Sequence, residues 1–291
     1  LDETGLALED VYSNNHCWSD LLTAGSLPTA PAGPAEVPLR RALGRLLHLD
    51  DPLRINQYRE WSGQWPPPNP EDLDLRDQRL LHMLLAVLTE AVASPGESLS
   101  EAVALLWQHR QVLVELGQLM EVLADRIDHV QSPLSTHPET PLLVHARYTR
   151  REILAAFSDG VTLKTPEWRE GTRWIPSETV DLLAITLDKS SGHFSPTTRY
   201  RDYAISRELL HWESQSTTRA ESETGQRYRQ HVERGTSVLP FARVSPDDRA
   251  FWLLGSAIYK SHEGERPISF VWQLAEPLSG DLFTSFAAVT S

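Results

Sequence analysis

The hydrophobic pattern of this 291-residue chain changes period near residues 131–141, and that change limits what the chain can fold into. Before it, apolar residues recur at helical spacing: Leu80, Leu81, Leu84, Leu85 and Leu88 in one segment, Leu116, Leu119, Val122, Leu123 and Ile127 in another. Residues three and four apart share one face of a helix of about 3.6 residues per turn. After the change the pattern mostly alternates, as in strands that bury one face. The stretch between, QSPLSTHPETP, reads as a loop and as the best domain boundary. The expected fold is α+β. A helical bundle or connector occupies 1–135, and a mixed, mainly antiparallel β domain occupies 140–291, as a curved sheet or a partly closed barrel.

Within the first half, the Pro/Ala/Gly stretch at 24–38 and the segment WPPPNP ending at Pro70 interrupt the helices. Helices are predicted over 39–47, 51–61, 72–92, 98–109 and 113–130. In the second half strands are predicted over 144–148, 172–175, 181–187, 204–213, 238–244, 251–261 and 268–274. Two further helices are expected, at 150–157 behind a Thr149 cap and at 225–233.

Composition bounds the function. Hydrophobic residues make up 40% of the chain and nine are Trp, enough for real cores. The one cysteine, Cys17, excludes an intrachain disulfide framework and a multi-cysteine zinc site, and fits a reducing cytoplasm. No apolar run reaches the roughly 18 residues of a membrane span, and the N-terminus shows no basic-then-apolar leader. The chain begins with Leu1, which suggests a fragment of something longer, although a processed start looks the same.

Net charge is −13, which argues against nucleic acid until its distribution is considered. Residues 1–140 hold 21 acidic and 9 basic side chains; residues 141–291 hold 19 and 18. The second half is therefore close to neutral and free to present a local positive face.

The stretch 194–228 concentrates chemistry. Arg199, Arg201, Arg207, Arg219 and Arg227 interleave with Tyr200, Tyr203, Trp212 and Tyr228. Arginine forks suit phosphates and aromatic faces suit stacked bases. On the strand around 209–215, alternation puts Leu210, Trp212 and Ser214 on one side and His211, Glu213 and Gln215 on the other. The second row reads either as the wall of a wet pocket or as a solvent-facing row beside a core Trp212. The loop 188–198 and the hairpin 260–267, which carries His262, are further binding-loop candidates. Arg150 and Arg151 at a helix start disfavour the helix dipole unless an anion sits there.

Motor and hydrolase motifs are absent: no GxxxxGK[ST], no GxGxxG and no GxSxG. Asp181 or Asp188, Glu213 and Lys189 resemble the acid-and-lysine set of metal-dependent nucleases. However, Gln215 stands where that pattern needs Lys, and no metal site or cofactor is expected.

The segments REILAAF, DLLAITLDKSSGHFSPTTRYRDYAIS, LLHWESQSTT, GQRYRQH and SHEGERPISFVW resemble the C-terminal domain of bacterial superfamily II DEAD/DEAH-type helicases, many of which carry a phospholipase-D-like nuclease domain. The resemblance covers about 140–285. Residues 1–130, with LGRLLHLDDPLR and ADRIDH, are similar to the helical region that precedes that domain. The resemblance implies a DNA-directed ATPase in restriction or defence, of which this chain is a recognition segment. Its partners are then DNA, the protein's own helicase core and a nuclease domain, in the cytoplasm and away from membranes.

The expected role is a DNA-binding specificity module, with modified or flipped bases among its targets. Arg147, Arg150, Arg199 and Arg201 hold phosphates; Tyr200, Tyr203 and Trp212 stack bases or wall a pocket; His211, Glu213, Gln215 and Ser216 read polar edges. Tyr148, Ser195, Thr197 and His262 complete the candidate set. Two alternatives stand beside it: a docking or autoinhibitory module on the helicase core, and a metal-dependent nuclease built on Asp181 and Glu213.

Overall fold

The computed structural model describes residues 5, 7–13, 16–187 and 202–287. The chain divides into two compact units, and the division does not run at a single point. The helical unit takes residues up to 129 together with 139–141 and 150–166; the β unit takes 130–138, 142–149 and the chain from 167.

The helical unit contains α1 (Leu8–Val11), α2 (Trp18–Ala24), α3 (Glu36–Leu43), α4 (Pro52–Gly63), α5 (Leu75–Leu88), α6 (Leu99–Trp107), α7 (Arg110–Ala124) and α8 (Arg150–Ala156). Local chemistry sets the helix starts. Asp51 accepts the Arg54 amide at 2.9 Å ahead of Pro52 in α4, and Asp74 accepts the Asp77 amide at 2.8 Å in α5. Ser98 and Glu101 form a reciprocal capping box on α6. Every residue of α5 from Arg79 to Leu88 is buried, so this helix is the hub. Its polar members are matched: the His82 imidazole meets the Ser158 hydroxyl at 2.8 Å and the Leu163 carbonyl at 2.7 Å.

At the foot of α4, the fully buried Arg54 guanidinium donates to Asp51 at 2.5 Å and to Glu152 of α8 at 2.7 Å. His48 closes the cluster with Nε2 at 2.7 Å from the other Glu152 oxygen, while Nδ1 meets the Arg45 carbonyl at 2.9 Å.

The β unit contains β1 (Ser132–Pro133), β2 (Leu143–Val144), β3 (Arg147–Thr149), β4 (Thr172–Ile175), β5 (Val180–Thr186), β6 (Tyr203–Ala204), β7 (Leu209–Glu213), α9 (Glu223–Arg229), β8 (Ser237–Arg243), β9 (Ala250–Leu253), β10 (Ala257–Glu263), β11 (Ser269–Leu274) and α10 (Gly280–Ala287). Its strands form an open five-stranded sheet, β3-β9-β8-β5-β4, an open four-stranded sheet, β10-β11-β7-β6, and the small pair β1-β2. Among the described strands only β5 and β8 run parallel, with Asp181 opposite Val238 and Ile185 opposite Ala242. The mixed, mainly antiparallel α+β expectation holds, while no closed barrel forms among the described residues.

Two predicted strands are each two strands. The 204–213 run turns at residues 205–208, where the Ser206 hydroxyl accepts the Glu208 and Leu209 amides at 3.1 Å. The 251–261 run breaks at Gly255, whose φ of +84° lies where L side chains are rarely tolerated. That kink sends β9 into one sheet and β10 into the other. No helix among the described residues is long and apolar enough to cross a membrane.

Candidate nucleic-acid interface

β7 organises the site. Its alternation is the predicted one: Leu210, Trp212 and Ser214 are buried, while His211 and Glu213 are half-buried on the opposite side. Trp212 is a core residue. It stacks on Phe270 at 5.6 Å between ring centroids, meets Tyr228 edge-on at 5.5 Å and tilts against Trp272 at 6.4 Å. Of the two expected roles, stacking a base or walling a pocket, neighbouring rings that already cover Trp212 leave it no face for stacking.

On the other side of β7, Tyr203 of β6 lies opposite His211 and stacks on it at 4.7 Å, with ring planes 15° apart. Glu213 follows two residues on, its amide donating to Asp202 at 2.8 Å and its carboxylate accepting from the Ser269 hydroxyl at 3.5 Å. This face therefore gathers Tyr203, His211 and Glu213.

Beyond β7 the chain enters the wall of a polar cavity of about 520 Å³. Its frame is an ion pair: Arg227 of α9 donates from Nε and Nη2 to Asp181 of β5, at 2.6 and 2.9 Å. The same guanidinium lies over the Trp174 ring, 4.2 Å from its centroid. Burial pushes the Asp181 carboxyl above the usual carboxylate range, against the pull of Arg227. Tyr228 backs the cavity from the core side, and burial raises its phenol as well. Glu170, Arg173 and Gln215 add polar ends, with the Gln215 amide donating to Glu170 at 3.3 Å. Thr172, Thr217, Thr218, Ser222 and Thr224 line the rest with hydroxyls that donate or accept. α9 sits close against the preceding turn only because residue 225 is Gly: a Cβ there would lie 2.1 Å from the Arg219 carbonyl oxygen.

The other candidates are dispersed. Arg147 places its guanidinium over Trp252, 5.1 Å from the ring centroid. Tyr148 is fully buried, with its hydroxyl accepting the Leu143 amide at 2.7 Å, so it offers no face to a base. Arg150 opens α8 and is grouped with the helical unit, whereas Arg147 is grouped with the β unit. His262 of β10 is held by the Tyr259 hydroxyl at 2.7 Å and stacks on Phe270 at 6.0 Å. Gln215 lines the cavity, and its neighbour Ser216 is exposed. Ser195, Thr197, Arg199, Tyr200 and Arg201 lie outside the described residues. Among the described residues no cluster of His, Cys, Asp and Glu is arranged to hold a metal ion.

Sequence reasoning missed most of the cavity, including Glu170, Thr172, Arg173 and Trp174. One signal for it was visible: Asp181 is the single charge in the otherwise apolar run VDLLAIT, and a buried acid needs a cation, which GQRYR supplies.

Comparison with known protein families finds a match to part of the chain. Residues 142–286 match the model of a domain of unknown function, DUF3427. The DUF3427 stretch includes the whole cavity, β7 and both larger sheets, and residues 1–141 lie outside the match. The match names no activity and no link to helicases or nucleases. A search of curated proteins finds no match to the chain.

Proposed function

We propose that the DUF3427 domain is a DNA-binding specificity module of a larger helicase or ATPase in restriction or defence, and that it reads one nucleotide drawn out of the stack. One observation carries the reading: a cavity of about 520 Å³, walled by hydroxyls, an amide, paired charges and Trp174, at the end of β7. Proteins that work on or inspect a base take it from the duplex into a pocket that bonds its edge. The stacked Tyr203 of β6 and His211 of β7 supply an aromatic surface for a neighbouring base.

Fluorescence anisotropy of the full chain against single-stranded, duplex and cytosine-modified duplex DNA, at two salt concentrations, tests the proposal. Phosphate contacts release counterions, so affinity falls steeply with salt, with a log–log slope of about −0.9 per contact on duplex DNA. Binding that is flat in salt, or no binding, contradicts it.

The acidic balance of residues 1–140 favours a second reading, docking of the chain on a basic surface of the helicase core. A pull-down that captures that core while DNA fails to bind selects it.

A further inference from the structure

We infer that the cavity of the β unit admits the uncharged base of a nucleotide and keeps phosphate out, with Arg173 as the side chain that selects the base edge. This rests on the DNA reading above and adds the ligand class and the discriminating residue.

Charge is the first argument. Two acids, Asp181 and Glu170, and two arginines, Arg173 and Arg227, line the cavity, so its formal charge is zero. A phosphate site needs excess positive charge and free guanidinium forks. Arg227 spends its Nε–Nη2 fork on Asp181, and its flat face lies on Trp174. It forms wall rather than clamp. A phosphate entering beside it meets two carboxylates.

Arg173 differs. It stands on β4, half-buried, and its Nη1 reaches the Glu167 carbonyl only at 3.5 Å. Its Nε is buried with no hydrogen-bond partner among the described residues. An arginine so short of acceptors gains by meeting the carbonyl or ring-nitrogen acceptors of a base edge.

The lining also has the right polarity. The phosphodiester of a nucleic acid presents acceptors only, whereas a base edge presents donors and acceptors together. Gln215 spends its amide N–H on Glu170 and leaves its carbonyl oxygen to accept, and the threonine hydroxyls bond in either sense. The volume of about 520 Å³ lies within the range of about 300–1,000 Å³ typical of small-molecule sites.

The experiment titrates the four nucleosides, and separately inorganic phosphate, into the full chain while following tryptophan fluorescence, with DNA anisotropy run in parallel. One nucleoside is expected to bind about 10-fold tighter than the weakest, as base-edge pairing allows, and phosphate is expected to leave the signal unchanged. Arg173→Lys keeps the charge but loses the fork, and is expected to bring the nucleosides within about 2-fold of one another. Thr218→Trp fills the cavity and is expected to abolish nucleoside binding. Phosphate binding as tight as the best nucleoside overturns the inference, as does DNA binding with no nucleoside binding. Unchanged selectivity in Arg173→Lys removes Arg173 from the role. If neither nucleosides nor DNA bind, the DNA reading fails together with the inference.

Discussion

Arg227 grips both oxygens of Asp181, at 2.6 and 2.9 Å, while its flat face rests 4.2 Å from the Trp174 ring centroid. One guanidinium thus ties α9 to β5 and β4 and sets the shape of the cavity between them. The Asp181 side chain is almost wholly buried, so its charge depends on that partner.

Replacing Arg227 by Met strands the Asp181 carboxylate. A stability loss of about 3 kcal/mol is expected, typical of breaking a buried pair from one side. Because burial already favours the protonated acid, the deficit against wild type is smaller at pH 5 than at pH 8. Urea melts at the two pH values check this; an equal deficit at both contradicts it.

Trp212→Ala acts on stability and not selectively on binding. The ring is buried among Phe270, Tyr228 and Trp272, so its removal opens the core of the β unit. A cost of about 3–5 kcal/mol is expected. Denaturation followed by near-UV circular dichroism measures it, and a stable, folded variant that merely loses DNA contradicts the core assignment.

Much of the architecture was legible in the sequence. The alternation of Leu210, Trp212 and Ser214 against His211 and Glu213 is the one observed, and strands lie mainly after the change of period at 131–141, although residues 139–141 and 150–166 return to the helical unit. What stayed hidden has physical causes. Alternation continues across a kink, so the break at Gly255 and the turn at 205–208 looked like uninterrupted strand. Aromatic residues serve cores and ligand faces equally well, so Tyr148 carried no mark of burial, and for Trp212 only the alternation of β7 suggested it. The cavity joins β4, β5, α9 and the 215–218 turn, which lie far apart in sequence, and only the lone charge of Asp181 hinted at it.

In the helical unit, Arg54 balances Asp51 and Glu152 from a fully buried position. Arg54→Ala leaves buried carboxylates without their cation, and a loss of about 3–5 kcal/mol is expected. Thermal melts of the variant show it as a large drop in Tm; a change within about 0.5 kcal/mol, as for ordinary surface positions, contradicts it.

His129 gives this unit a pH dependence. Its ring lies 3.5 Å from Asp50 and 2.9 Å from Asp128, and these carboxylates raise its pKa to about 9, with the Asp50 contact the larger cause. The folded value lies above the unfolded value of about 6.5. The stabilisation is therefore fully present below pH of about 6.5 and is lost as pH rises through about 9. Urea midpoints measured from pH 6 to pH 10 are expected to fall across that window in wild type and to flatten in His129→Gln. A parallel decline in both proteins contradicts the assignment.

The central claim is that the cavity beside β7 receives a base out of DNA. Its most direct test places one 2-aminopurine in a duplex and records its fluorescence as the full chain is added to saturation. The account predicts a several-fold rise as the base leaves the stack, lost in Thr218→Trp although the DNA remains bound. Saturated binding with unchanged fluorescence contradicts it.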